Sequence, residues 1–196
     1  MLGKLFKKKN PTESAIVVAR LNDRVQPVDR GELYEDPLEE ILKKHRVGSV
    51  TGGGTKLGEE NEIEFCDVEI TVREPLADAL ELIKQTLEEL GAPVGSKLIL
   101  EAQGEELPFG LNEGLAVYLN GTDLPDEVYA DGDPTFVLSE FNRLLGAEGK
   151  IHSHWQGPTE TALYMYGRSF ETMKNRLSNF LASYPLCQRA RVVQIA

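Results

Sequence analysis

The chain is poor in the residues that build dedicated chemistry. Its 196 residues include two cysteines, three histidines, three methionines and one tryptophan. Two cysteines, Cys66 and Cys187, are too few for a disulfide framework, which excludes a small disulfide-stapled fold. They lie far apart in sequence, so no CxxC pair offers a thiolate zinc site or a redox motif. HExxH, GxGxxG and GK[ST] patterns are also missing, and with them the usual metalloprotease and phosphate-cradle signatures.

Positive charge is scarce too. Against 32 acidic residues stand 21 lysines and arginines, a net charge of −11. That balance argues against nucleic acid and against anionic membranes as partners. No apolar run approaches the roughly 20 residues of a membrane span. In "MLGKLFKKKNPTES" the lysines follow the few apolar residues and no apolar core comes after, so no signal peptide is read there. The expectation is a cytoplasmic protein with reduced thiols, no membrane span and no cofactor, preceded by a basic, solvated tail over residues 1–12.

What the sequence does have is repetition. In the first half, "SAIVVARLN" is rich in β-branched residues and reads as a strand. A polar loop over 23–34 leads to "EDPLEEILKKH", a helix with Asp36 as its cap, Pro37 at its first position and Leu38, Ile41 and Leu42 on one face. Strands follow in "VGSVTGG" and in the strictly alternating "EIEFCDVEITV". "PLADALELIKQTLEELG" is an amphipathic helix burying Leu76, Leu80, Ile83, Leu87 and Leu90, with Gly91 as its stop. "KLILEA" closes the half.

The second half repeats the order. "GLAVYLNG" ends in Leu119-Asn120 as the first strand ends in Leu21-Asn22. An acidic loop leads to Asp133-Pro134 and the helix "TFVLSEFNRLLG", then come the strands "GKIHSHWQ" and "TALYMYG". The long helix "SFETMKNRLSNFLASYP" carries Phe170, Met173, Leu177, Phe180 and Leu181 as its stripe, and "ARVVQIA" is the last strand. A supersecondary unit written twice predicts an α+β tandem duplication of a βαββαβ unit, with antiparallel sheets and helices on one face. The arrangement resembles tandem ferredoxin-like proteins. The halves are placed at 13–103 and 114–196, joined by a Gly-, Pro- and acid-rich linker at 104–113.

Gly52, Gly53 and Gly54 precede a strand rather than a helix, so they are no phosphate cradle. They read as the hairpin between the two middle strands, matched in the second half by Gln156-Gly157-Pro158. Three in a row exceed what a hairpin needs, and are expected to let something approach the backbone closely.

Alternation assigns the faces. Cys66, Val68, Ile70 and Val72 point to the helices. Phe65, Asp67, Glu69 and Thr71, with Val18, Arg20 and Asn22, form the open face of the first sheet. The open face of the second collects Tyr118, Asn120, His152, His154, Tyr164, Tyr166 and Gln194, while Leu163 and Met165 go to the core. Cys66 reads as a small buried hydrophobe, and nothing near Cys187 suggests an activated thiol. The two open faces are expected to pack together, the acids and Arg20 meeting tyrosines and imidazoles; the sharper alternative is a cleft between them.

His152 and His154, two apart on a strand, are the only metal candidates. Their third ligand would have to be Asp67, Glu69 or Glu160, and no local cluster supports it, so structural histidines are the preferred reading. RNA-recognition modules share this fold and stack bases on strand aromatics, but here the face lacks basic residues. Asp67 and Glu69 facing His152 or Tyr164 could do acid–base work, though no nucleophile signature accompanies them. The acidic loop "NGTDLPDEVYADGD" lacks calcium-loop spacing. With Asp123, Asp126 and Tyr129 it suits docking to a basic protein.

The preferred functional reading is therefore a non-enzymatic binding protein that engages a protein partner through its acidic loops or its aromatic sheet face. Its charge resembles that of bacterial immunity proteins, which neutralise basic toxins. The alternative is a small-molecule or metal-binding protein, or an enzyme, with a cleft between the halves.

Overall fold

A computed structural model describes residues 14–73 and 76–196. The basic tail expected at 1–12 lies outside the described residues. Strand β1 (Ser14–Leu21) is followed by a helical stretch, then β2 (Gly48–Leu57) and β3 (Ile63–Arg73), helix α3 (Leu76–Glu89) and β4 (Ser96–Leu100). The second half runs β6 (Glu113–Asn120), α4 (Asp126–Asp131), α5 (Pro134–Leu145), β7 (Gly149–Gln156), β8 (Glu160–Gly167), α6 (Phe170–Ser183) and β9 (Arg191–Gln194). Sheet orders are β2-β3-β1-β4 and β7-β8-β6-β9, with every named pair antiparallel. The chain is thus a ferredoxin-like unit built twice.

Alternation places the cores as expected. Val17, Ala19, Leu21, Cys66, Val68 and Ile70 pack under Leu38 and Leu42 of the first helical layer and Ile83 and Leu87 of α3. In the second half Leu115, Val117, Leu163 and Met165 meet Val137 and Phe141 of α5 and Met173 and Leu177 of α6. Each such buried side chain contributes roughly 1.5–3 kcal/mol by leaving water.

Three local expectations are corrected. The polar loop at 23–34 is helical from Pro27: α1 (Pro27–Arg30) passes through a π turn (Gly31–Glu35) into α2 (Asp36–His45). Asp36 is therefore inside the helix rather than capping it. Its N–H reaches back five residues to the Gly31 carbonyl, and this widened turn is where a helix can accommodate the ring of Pro37. In the second half the expectation holds, since Asp133 caps α5 by accepting the Thr135 N–H at 2.8 Å, with Pro134 at the first position.

The segment read as a linker contains a strand, β5 (Glu105–Phe109), which extends the first sheet beyond β4. Behind it, the Leu111 N–H bonds the Ala92 carbonyl at 3.0 Å and the Val94 N–H bonds the Asn112 carbonyl at 2.7 Å. Gly110 makes this closeness possible. Its φ is +104°, and a Cβ there would sit 1.9 Å from the Pro93 oxygen.

The triple glycine lies in the body of β2, not in a hairpin; the hairpin is the tight turn at 58–62. In the second half the residues that match Gly52–Gly54 are Ser153, His154 and Trp155, which pair with Tyr164, Leu163 and Ala162 as the glycines pair with Glu69, Val68 and Asp67. The close approach is intramolecular. A Cβ on Gly53 would meet Glu35 Oε1 at 2.6 Å and Arg30 Nη2 at 2.9 Å, because the Arg30–Glu35 ion pair lies across the strand there and Arg30 Nη1 donates to the Gly54 carbonyl at 2.8 Å.

The edge strands β2 and β7 carry a bulge at the same step. The β2 register skips Thr51 between Val50 and Gly52, and the β7 register skips His152 between Ile151 and Ser153. An extra residue reverses the alternation beyond it.

Candidate functional site

That reversal decides where the histidines go. His152 lies on the open face with its ring 4.8 Å from that of Tyr166. His154 pairs with the core-facing Leu163, on the opposite side of the bulge, and is exposed. The two imidazoles do not share a face, and Trp155 takes the place on the open face expected for His154. Among the described residues no group of three or more His, Cys, Asp or Glu is arranged to hold a metal ion.

Tyr118, Tyr164 and Tyr166 do share the open face, packed with Ala116 and Ala162, and all three are buried. What buries them is not the open face of the first sheet. It is the turn after β1, Asn22–Arg24, together with the β2–β3 hairpin. Glu62 of that hairpin accepts hydrogen bonds from the Tyr118 hydroxyl at 2.6 Å and the Tyr164 hydroxyl at 2.7 Å, and pairs with Arg24. Arg24 Nη1 also donates to the Tyr118 oxygen at 3.0 Å, and its guanidinium lies 5.2 Å from the Tyr164 ring centre. The Arg24 backbone N–H donates to the Tyr166 hydroxyl at 3.0 Å, and the Ser153 hydroxyl donates to the Arg24 carbonyl. Trp155 Nε1–H donates to the Glu60 carbonyl at 3.1 Å.

Beneath this layer Asp23 is fully buried. Its Oδ2 accepts from the Tyr34 hydroxyl at 2.6 Å and lies 2.8 Å from His152 Nδ1, while Oδ1 has no hydrogen-bond partner. Burial first, then the adjacent Asp23 charge, pushes the Tyr34 and Tyr166 hydroxyls well above the ordinary tyrosine pKa. Tyr118 and Tyr164 are raised by burial and by donating to Glu62. Burial works against the charge of Arg24, but the tyrosines and Glu62 outweigh it and its pKa ends raised. Cys187, shielded under α6, is pushed up to about 11 by burial alone.

The remaining open-face residues are elsewhere. Arg20 pairs with Asp67 through two bonds of 2.9 and 3.0 Å and covers the Phe65 ring at 4.1 Å. Glu69 is exposed. Asp67 and Glu69 therefore do not face His152 or Tyr164, and the acid–base constellation drawn from them is not assembled. Asn22 and Asn120, at matching strand ends, do different work. Asn22 bridges Val94 and Ile195 carbonyls at 2.9 and 3.3 Å, tying the halves together. Asn120 Oδ1 accepts the N–H groups of Thr122 and Asp123 at 3.0 and 2.7 Å and is reached by the Tyr129 hydroxyl at 3.2 Å, which folds the acidic loop onto itself.

That loop leads into α4 and a distinct surface. Asp123, Asp126, Glu127, Asp131 and Asp133 are all exposed. Between α4 and the turn Pro185–Cys187 lies a notch of about 230 Å³, walled by Val128, Tyr184, Pro185 and Leu186 and flanked by Glu127 and Asp131. Gly132 permits it, since a Cβ there would sit 2.5 Å from Leu186 Cγ. Beside the notch Phe136 is 42% exposed and packs on Tyr184 at 5.4 Å, with Phe180 stacked on Tyr184 at 5.0 Å.

A larger cleft, about 490 Å³, opens between the C-terminal end of α3 in the first half and β7, β8 and the end of α5 in the second, with His152 and Tyr166 in its wall. Sequence reasoning missed Asp23, Tyr34 and Arg24, which lie outside the alternating strand stretches from which the faces were read, and Glu62, the first residue of one of them.

No family model matches the chain, and no curated protein matches its sequence. Among solved structures, the chain is similar to an unknown protein from Galdieria sulphuraria at 13% identity, covering 94% of this chain and 98% of that one with a TM-score of 0.27. It is also similar to the regulatory subunit of aspartate kinase from Thermus flavus (13% identity, 86% and 93% covered, TM-score 0.28). A third likeness is to the first two RRM domains of a yeast poly(U)-binding protein (11%, 94% and 99%, TM-score 0.24). At such identities a likeness bears on the fold alone, and nothing about ligand or activity passes from these proteins to this chain.

Proposed function

We propose that the chain is a non-enzymatic, cytoplasmic protein-binding module that takes up a basic partner on the acidic end of its second half. The observation that carries this reading is the apolar notch of Val128, Tyr184, Pro185 and Leu186 set between the exposed carboxylates of Glu127 and Asp131. An apolar anchor in a desolvated notch with a charged rim is the anatomy of an interface hot spot, and the surrounding charge of one sign steers a partner of the other. None of the five acidic side chains of this end forms an ion pair among the described residues, so their field is free to act on a partner. Phe136 and Leu138, both exposed, extend the apolar ground beside them.

The aromatic sheet face is taken up inside the chain, which supports the acidic end rather than that face as the docking surface. Two buried, unpaired thiols suit a reducing compartment. The test is calorimetric titration with a lysine-rich peptide carrying one leucine, on the native chain and on a Glu127→Lys, Asp131→Lys double variant. Binding that weakens with salt and disappears in the variant supports the reading. Equal binding by both proteins, or by neither, rejects it.

A further inference from the structure

We propose that the cleft between the two halves is a binding site for a small hydroxylated anion, held by Lys150 and Arg168 and oriented by a hydrogen bond to His152 Nε2. His152 is the starting point. Its side chain is only 6% exposed, yet it lines the cleft. Nδ1 is occupied by Asp23, which already accepts the Tyr34 hydroxyl on the same oxygen. A carboxylate in that position accepts the Nδ1–H, which fixes the ring and leaves Nε2, on its far edge, to bond a ligand. Stacking on Tyr166 holds the ring plane. A hydroxyl group on the ligand suits that nitrogen whether it accepts or donates, since a hydroxyl can do both.

The charge of the ligand follows from what is unpaired. In a chain of net charge −11, Lys150 on β7 and Arg168 just past the end of β8 stand at the same wall, and neither forms an ion pair among the described residues. The acids of the cleft are partly spent. Glu88 accepts the Gly110 N–H at 3.1 Å, and Glu148 pairs with Arg176 at 3.3 Å. Glu89, on the α3 side, forms no ion pair among the described residues, so the cleft is negative on the wall of the first half, while Lys150 and Arg168 bring positive charge to that of the second. An anion accordingly seats against the second half, with its hydroxyl turned back toward His152. The volume, about 490 Å³, falls in the range of small-molecule sites.

This site is independent of the partner-binding surface. The cleft adjoins the C-terminal end of α5 and the acidic surface its N-terminal end, about 18 Å apart along twelve residues. The ligand's anionic group can be a carboxylate or a phosphate, and two probes separate these: malate and glycerol 3-phosphate, each titrated calorimetrically into the full chain. The proposal expects at least one to bind, and Lys150→Met and Arg168→Met each to weaken that binding about tenfold, the loss of one charge-assisted contact. Both substitutions are at exposed positions, so the fold is retained, which unchanged melting verifies. The ¹⁵N resonance of His152 Nε2 should move on binding. Malate alone identifies a carboxylate site and glycerol 3-phosphate alone a phosphate site; either supports the proposal. Failure of both probes to bind, or binding unaltered in both variants, overturns it.

Discussion

Asp23 and His152, one from each half, are joined by a 2.8 Å contact between carboxylate Oδ2 and ring Nδ1, with both side chains almost wholly out of water. They stand 129 positions apart in sequence, and their meeting locks the turn after β1 onto the open face of the second sheet. The paired oxygen belongs to a carboxylate whose other oxygen has no partner, so the carboxylate depends heavily on its two donors.

Removing one donor is therefore expected to be costly. His152→Ala should lower stability by about 2–3 kcal/mol, the penalty for a buried charged group losing its hydrogen bond. His154→Ala, on the exposed side beyond the bulge, should stay within about 0.5 kcal/mol of the native protein. Urea denaturation of the two variants checks both. Equal losses would contradict the bulge-dependent placement.

Glu62 gathers two tyrosine hydroxyls and the Arg24 guanidinium. Glu62→Ala takes the acceptor from both hydroxyls and the counter-charge from Arg24 and should cost about 1–3 kcal/mol, while Tyr164→Phe, which removes one donor and leaves the others satisfied, should cost nearer 1 kcal/mol. A double-mutant cycle between Glu62 and Tyr164 should give a coupling of at least about 0.5 kcal/mol. A coupling of zero would contradict the contact.

Adjacent glycines should respond differently to the same substitution. A Cβ at Gly53 falls 2.8 Å from the Asp67 carbonyl and against Arg30 and Glu35, whereas at Gly54 nothing lies within 4 Å. Gly53→Ala should lose about 1–3 kcal/mol through overpacking. Gly54→Ala should be neutral or gain up to about 1 kcal/mol by restricting the unfolded chain. Thermal melting distinguishes them.

The tyrosines predict an alkaline limit. Tyr34, Tyr118, Tyr164 and Tyr166 all have folded-state pKa values above the ordinary one, so the fold favours the neutral phenols. Their contribution is complete below the unfolded value of about 10. Above it the unfolded chain ionises first, and stability declines until the folded groups ionise as well. Stability measured across this range should fall steadily, and the fall should shrink in Tyr164→Phe.

Much of this architecture was legible because alternation and amphipathic stripes are local. Val68 and Ile70 under Ile83 and Leu87, or Leu163 and Met165 against Met173, follow from a period of two meeting one of 3.6. The matched Leu-Asn and Asp-Pro pairs exposed the duplication. What escaped was what local pattern does not carry. The bulge at His152 leaves no trace in residue types, yet it turns His154 away. Pro37 reads as a helix start, since nothing in the composition of 27–35 announces a π turn. Asp23 and Arg24 sit outside the alternating stretches and Glu62 at the very start of one, and their roles depend on a surface over fifty residues away. One signal was available: the repeat breaks where Asp23-Arg24 follows Asn22 but Gly121-Thr122 follows Asn120.

That broken symmetry has a consequence for how many chains can join. Two like units that engage plug-into-socket form a head-to-tail contact, which propagates into a filament unless something closes it. Here only the front unit carries the Asp23-Arg24 plug and only the back unit the tyrosine socket, while the counterpart sheet surface of the front unit is occupied by Arg20 paired with Asp67. Divergence between the copies has left one plug and one socket on the same polypeptide, each satisfied by the other, so the coupling terminates after a single step.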